Sequence, residues 1–418
     1  MDKTLTVQRE SYRLSIRALS AVASVGEKIG LPFGQLEETS MLAAARSATG
    51  LQDMGGDHFV APMRQLIANL EKRELTALGK VSTRAIALKH LTNRLCLTEH
   101  FRQHPTLKDL PIERPVFILG FPRTGTTLAQ DLLAKAPGSR ALQFWELATP
   151  VPVSEDEGRD RHLRTKDAQQ KLDVTYRVAP ELMQVHETRT DTLEECWPLL
   201  ANSFSAANWE MSMGCTDYGG WLLEQDLVPA YQDYKRSLQV LASNSPGRRL
   251  VLKCPDHLAT LDALLEVFPD ACLVWTHRDP VDCIASYCSM VSIGWRVVFG
   301  KYHPLEIGPV VHDGFLRWVT RAMAVRDRVG EDRFFDVNFE DFTASPAATI
   351  EAMAEHCGMP GRSASEVAAD MARGRSDEKG KHVYSVPRYG IDPDAVHRSF
   401  AEYIERFSVT TRNSEAYT

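Results

Sequence analysis

Pro115-Val116-Phe117-Ile118-Leu119-Gly120-Phe121-Pro122-Arg123-Thr124-Gly125-Thr126-Thr127 is the stretch that decides the fold class of this chain. Residues 115–119 form a short apolar run bounded by Pro and Gly, the pattern of a parallel strand buried on both faces. Gly120 and Gly125 then stand five apart, and Leu128 to Ala136 reads as a helix. Such a turn curls so that successive backbone N–H groups converge on an anion, and the helix N-terminus adds its positive end. The spacing matches the phosphate loop G-x-x-x-x-G-K-[ST] except that Thr126 stands where an ATPase has lysine. A kinase or NTPase sets that lysine on the β- and γ-phosphates and holds Mg2+ with a hydroxyl and an acidic strand end. Here the loop cation is Arg123, and no strand ends in an obvious metal-binding Asp. The loop therefore suits an anion but not ordinary Mg–ATP chemistry.

Further apolar runs follow the same plan. Leu250-Val251-Leu252 stops at Lys253-Cys254-Pro255; Ala271 to Trp275 stops at Thr276-His277-Arg278-Asp279-Pro280, with a helix predicted from Val281 to Met290. Phe334 to Phe339 precedes Glu340-Asp341. Strands alternating with helices predict an α/β fold, a P-loop-like central parallel sheet flanked by helices. Polar residues gather just past the strand ends, where open α/β sheets bind ligands. Residues 1–110 read as a helical N-terminal extension or cap. Apolar residues at 63, 66, 67, 70, 75 and 78 keep helix spacing up to a stop at Gly79, and Ile86, Leu88, Leu91 and Leu95 continue in a second helix. Residues 373–382 form a polar, basic loop containing Gly.

The 418 residues carry 48 Lys+Arg against 55 Asp+Glu, a formal net charge of −7. That balance argues against a general nucleic-acid binder, which needs clustered excess cations. The longest stretch free of Asp, Glu, Lys and Arg, Cys196 to Trp209, has 14 residues, too short for a membrane-spanning helix. The N-terminus shows no apolar signal segment. The eight cysteines show no C-x-x-C and no zinc spacing, and are read as reduced, buried thiols. Together these features predict a cytoplasmic enzyme without an integral membrane segment.

Arg278-Asp279-Pro280-Val281-Asp282-Cys283-Ile284-Ala285-Ser286 sets an Arg fork and a hydroxyl two helical turns apart, able to converge on a second phosphate. With the P-R-T-G-T-T loop, this chain resembles the sulfotransferase superfamily that uses 3′-phosphoadenosine 5′-phosphosulfate (PAPS). The loop, Pro122 to Thr127, resembles that family's 5′-phosphosulfate loop, and Arg278 with Ser286 its 3′-phosphate site. Lys253-Cys254-Pro255 resembles the strand-end lysine segment at the sulfuryl group. Val337 to Phe342 followed by Ser345-Pro346 resembles a further family segment, and Asn93-Arg94-Leu95 resembles the long bacterial members. Many cytosolic members have Lys where Arg123 stands; variants similar to tyrosylprotein sulfotransferase have Arg. The family's C-terminal R-K-G loop appears loosely in Arg375 to His382, and the resemblance implies cofactor contacts from Lys381 and His382. It also implies a PAPS-binding sulfotransferase domain over residues 111–418, with PAPS as sulfuryl donor and no metal.

In-line sulfuryl transfer needs a base on the acceptor oxygen and fixed cations at the leaving group. Arg123, the loop N–H groups and Lys253 supply the cations. Three residues compete as base. Glu146, after Phe144-Trp145, lies near the distance from the loop at which several branches place a catalytic glutamate. His257 resembles the histidine of the lysine-then-histidine segment, and His186 stands beside Glu187. Trp197, Phe204, Trp209, Met211, Met213 and Trp221 either line a pocket for a small hydrophobic acceptor or form helix-packing core. A degenerate P-loop kinase or NTPase and a non-catalytic nucleotide-binding protein are the alternatives.

Overall fold

The computed structural model describes residues 34–376 and 385–417, with a fragment at 21 and 23–25. Lys381 and His382 lie outside the described residues. Five strands form one parallel sheet: β1 (Val116–Gly120), β2 (Ser139–Arg140), β3 (Arg249–Lys253), β4 (Cys272–His277) and β5 (Phe334–Asn338). Their order is β2-β3-β1-β4-β5. The sequence anticipates four of these; β2, two residues with no apolar run, carries no signal of its own.

Alternation explains why the apolar runs are continuous. Phe117, Leu119, Leu252, Leu273 and Trp275 enter the core on one face of the sheet. Val116, Ile118, Val251 and Val274 enter a second core on the other. Both faces are covered by helices, so neither parity can be polar. The register sets Ile118 beside Lys253 and Gly120 beside Thr276. The segments after β1, β3 and β4 therefore emerge together at the C-terminal edge of the sheet.

The helices include α1 (Glu38–Thr49), α2 (Val60–Glu71), α3 (Ala77–Gln103), α4 (Thr126–Leu133), α5 (Phe144–Ala148), α6 (Glu157–Val178), α7 (Val228–Ser243), α8 (Pro280–Phe299), α9 (Pro304–Val329) and α10 (Pro346–Cys357). The N-terminal pattern divides earlier than its periodicity suggests. Gly79 does not stop a helix; it lies in the first turn of α3, where Thr76 caps its N–H at 2.9 Å. A Cβ there would collide with the carbonyl of Val298. Close approach to α8, not chain termination, is why this residue is glycine.

Helix α3 is tied down by buried polar contacts. Arg94 pairs with Asp233 of α7 at 2.5 Å and reaches Ser203 at 3.0 Å. Asn93 donates to the carbonyl of Ala148, at the end of α5, at 3.3 Å. One departure concerns the cysteines: Cys272, opening β4, is joined to Cys357, closing α10, with Cα atoms 5.7 Å apart. A pair 85 residues apart leaves no spacing signature. The other six are free thiols. No helix among the described residues is long and apolar enough to cross a membrane.

Candidate active site

The C-terminal edge of the sheet opens into a cavity of about 560 Å³. Pro122, Arg123, Gly125, Thr126 and Thr127 line one end of it, with Arg278 beside them. The loop turns tightly. Gly120 has φ 139° and Gly125 has φ 89°. A Cβ on Gly120 would stand 2.7 Å from the Thr276 carbonyl oxygen. Arg123 takes a left-handed φ of 76°, which an L side chain adopts at a cost and which clusters at functional sites. Among the described residues no side chain caps the N-terminus of α4, so its first N–H groups suit an anion. Thr124 is spent inside the turn: its Oγ1 donates to the Phe121 carbonyl at 2.7 Å and meets Thr276 Oγ1 at 2.5 Å. Its hydroxyl braces the loop against β4 rather than facing a ligand.

Lys253 ends β3 just beneath the cavity floor, 1% exposed. Its Nζ lies 3.3 Å from Thr127 Oγ1 and 3.1 Å from Glu195 Oε1, both residues of the cavity wall. Burial pulls this ammonium down, but Glu195 and Glu194 more than offset it and hold it above its ordinary value. Arg278, following β4, donates to the Arg123 carbonyl at 2.9 Å and pairs with Asp282 at 3.1 Å. Its guanidinium covers the Phe339 ring at 4.2 Å. Strand ends β1, β3 and β4 thus bring the loop, Lys253 and Arg278 around one cavity. Ser286 is buried on α8 and is not part of its lining.

The three residues considered as base part company. Glu146 faces away from the cavity. It closes a capping box at the start of α5, accepting from the Gln143 N–H at 2.9 Å, while its other oxygen pairs with Arg140. Its burial comes from this structural role. His257 is fully buried, with Nδ1 2.7 Å from Tyr231 Oη and Nε2 3.4 Å from Cys196 Sγ. Four residues past Lys253, it has turned into the core instead of the cavity. Only His186 lines the wall, 3.2 Å from Glu194. The hydrogen bond to Glu194 raises His186 above its ordinary value. Burial works against the Glu194 carboxylate, yet the bonds and charge of His186, with Lys253 and Thr188, hold it below the usual range.

Sequence reasoning missed Lys89, Glu194, Glu195, Asn208 and Asp256, all lining residues. Glu194-Glu195 had no motif, but its double charge just before an apolar run was a visible signal. Asp256 was passed over for its neighbour His257. One Asp256 oxygen accepts from the Asn208 N–H at 3.0 Å, and the other has no hydrogen-bond partner among the described residues. Burial pushes Asp256 up to about 7, against the Asn208 hydrogen bond and with help from Glu195. Burial and Lys171 lower Lys89 to about 8. Of the aromatic set, Trp197 lines the cavity. Phe204, Trp209, Met211 and Met213 are core, and Trp221 packs against it.

The model of the sulfotransferase family matches residues 115–363, the span that holds the loop, Lys253 and Arg278. The chain belongs to the sulfotransferase family. It is 24% identical over 252 residues to omega-hydroxy-beta-dihydromenaquinone-9 sulfotransferase Stf3 of Mycobacterium bovis and of Mycobacterium tuberculosis. The match covers 59% of this chain and 63% of each relative, so the chain spans less than two thirds of the curated relatives it matches. Its fold is similar to sulfotransferase STF1 from Mycobacterium tuberculosis H37Rv, with TM-score 0.77, 29% identity, and 88% of this chain and 98% of that one covered. It is equally similar to STF9 from Mycobacterium avium, with TM-score 0.78, 27% identity, and 90% and 98% covered.

Proposed function

We propose that this sulfotransferase moves the sulfuryl group of PAPS to the hydroxyl of a small lipophilic acceptor, without a metal, in a domain of residues 111–418 capped by residues 1–110. The observation that carries this is the meeting of an uncapped phosphate loop, Lys253 and Arg278 at one cavity, in a loop whose ATPase lysine is replaced by Thr126. PAPS, when bound, supplies the sulfuryl group and a good leaving phosphate. Arg123 and the N–H groups of Gly125, Thr126 and Thr127 hold the 5′-phosphosulfate. Lys253 lends its charge to the sulfuryl and bridging oxygens, where fixed donors stabilise developing charge. Arg278, the strand-end guanidinium that does line the cavity, holds the 3′-phosphate.

Glu195 is the base in this reading. It is the carboxylate beside Lys253 on the cavity wall, so a proton leaving the acceptor oxygen arrives next to the transferred group. The new O–S bond forms as the S–O bond to the phosphate breaks, giving a sulfate ester, 3′-phosphoadenosine 5′-phosphate (PAP) and a proton on Glu195. Phe144, Leu147, Trp197 and Met290 form an apolar wall, which suits a lipophilic alcohol. The substrate class in the name of Stf3, a hydroxylated menaquinone, supports that choice. Purified protein with radiolabelled PAPS and a panel of polyprenyl alcohols, sterols and sugars tests it. Labelled esters of lipophilic alcohols are expected; label appearing only in sugars overturns the acceptor reading.

A further inference from the structure

Helix α3 brings to the cavity one cation that no anion there answers. Lys89 lines the wall, half-buried, and its Nζ makes no hydrogen bond or ion pair among the described residues. Two other cations of the lining are engaged at the loop end: Lys253 with Thr127 and Glu195, and Arg278 with Asp282 and the Arg123 carbonyl. Lys89 belongs with the apolar wall. Asn93, one turn further along the same face of α3, donates to the Ala148 carbonyl at 3.3 Å, and Phe144, Leu147 and Ala148 of α5 line the cavity. Thr149 follows them and donates to Asp167 of α6 at 3.3 Å, the carboxylate whose charge favours the Lys89 ammonium. The surrounding charges are all committed. Asp167 is paired with Lys171 at 2.6 Å, and Lys171 opposes Lys89. His90 is neutral, held by Asn202 at 2.9 Å and pulled down to about 3 by burial. Arg164 is taken up by Asp160 and the Thr149 carbonyl. Glu194 meets His186 and Thr188, Glu195 meets Lys253, and Asp256 accepts from the Asn208 N–H.

We propose that Lys89 selects the acceptor: its ammonium receives a carboxylate carried by the lipophilic chain whose hydroxyl takes the sulfuryl group, so the substrate class is a hydroxy fatty acid rather than a neutral alcohol. This rests on the lipophilic-acceptor reading above. A cation drawn out of water is costly until an opposite charge reaches it, and burial with Lys171 already lowers Lys89 to about 8. A single ammonium matches a monoanion, whereas a phosphate dianion calls for the several donors that the loop gathers. The apolar wall of Phe144, Leu147, Trp197 and Met290 takes the chain, and the carboxylate fixes which end of it stays away from Lys253.

The test compares ω-hydroxy fatty acids of several chain lengths with their methyl esters, which keep the hydroxyl and the chain but lose the charge. Sulfation with labelled PAPS is measured for the full chain and its Lys89→Met and Lys89→Arg variants, and each PAP-loaded protein is titrated calorimetrically with the same acids and esters. The Lys89 side chain holds no partner, so a methionine of similar length leaves the fold intact. At the best chain length the wild type should favour acid over ester about 10–50-fold in kcat/KM, carried by KM, because hydrogen bonds between charged groups are the strong ones. Lys89→Met should bring acid and ester within about twofold of each other, with the ester and PAP affinity unchanged. Lys89→Arg should keep part of the preference, because the charge stays and its geometry does not. A wild type that binds acid and ester alike, or binds neither, overturns the proposal. So does equal loss of both in Lys89→Met, which would make the residue structural, or weakened PAP, which would place it at the nucleotide. Sterols or polyprenyl alcohols sulfated while hydroxy acids are refused would overturn this proposal alone; label entering only sugars would overturn the lipophilic-acceptor reading beneath it.

Discussion

Substituting Glu146 by Gln separates a structural carboxylate from a chemical one. Glu146 uses one oxygen to cap α5 at the Gln143 N–H, 2.9 Å away, and the other against Arg140. Arg140 keeps other acceptors, the Leu241 carbonyl at 3.2 Å and Ser245 Oγ at 2.5 Å. Gln preserves the volume and one acceptor, so the capping bond, worth about 1 kcal/mol, largely survives. What is lost is the charge facing a guanidinium 13% exposed. Deleting one partner of a buried pair costs about 3–5 kcal/mol. With Arg140 still hydrogen-bonded, roughly 2–3 kcal/mol is expected, a fall in Tm of roughly 2–4 °C for a chain of this length. Turnover should change by less than about threefold, because removal of a general base costs about 10²–10⁴ and Glu146 reaches no reacting atom. Thermal melts and initial rates at saturating PAPS measure both. An unchanged Tm with kcat reduced a hundredfold would refute the reasoning and return the base to Glu146.

Lys253→Ala should lower kcat by about 10²–10³ with PAP affinity little changed, because its charge acts at the transferring group; equal loss in PAP binding would place it at the nucleotide instead. Asp256 has a folded value of about 7 against an ordinary 3.8. Its contribution to stability is complete below the lower value and lost as pH rises through the upper one. Denaturation midpoints should therefore fall between about pH 4 and 7 in the wild type and flatten in Asp256→Asn; parallel curves would contradict this. Arg94→Ala strips the guanidinium from Asp233, which burial opposes but His58 and Arg94 hold at about 2. A loss of about 3–5 kcal/mol is expected at neutral pH, and a variant within about 0.5 kcal/mol of wild type would show that α3 is held by its apolar contacts alone.

Which parts of the molecule were legible follows from what each residue answers to. The sheet was readable because a strand buried on both faces must be apolar at every position, as Val116 to Leu119 and Cys272 to Trp275 are. The phosphate loop was readable because its backbone demands glycine at Gly120 and Gly125, at fixed spacing from a strand end and a helix start. Lys253 and Arg278 were readable because strand ends address the ligand edge. The carboxylates were not. Glu146 and Glu195 are alike in sequence, each a Glu near aromatics, and differ only in what the fold sets opposite them: Arg140 for one, Lys253 for the other. His257 and Asp256 are neighbours, and the short 3-10 turn from Pro255 to Leu258 decides that the aspartate lines the cavity while the histidine enters the core. Lys89 comes from α3, whose place over the cavity depends on long-range pairs such as Arg94–Asp233. Gly79 was misread because a glycine that permits close helix approach leaves the same trace as one that ends a helix.

The central claim is that the cavity takes a 3′-phosphorylated adenine nucleotide without a metal. Calorimetric titration with PAP, set against ADP with and without Mg2+, tests it most directly. The account predicts tight binding of PAP, unchanged by Mg2+, and weak binding of ADP in either condition. Preference for Mg–ADP, or PAP binding that requires Mg2+, would contradict it and return the loop to kinase or NTPase chemistry.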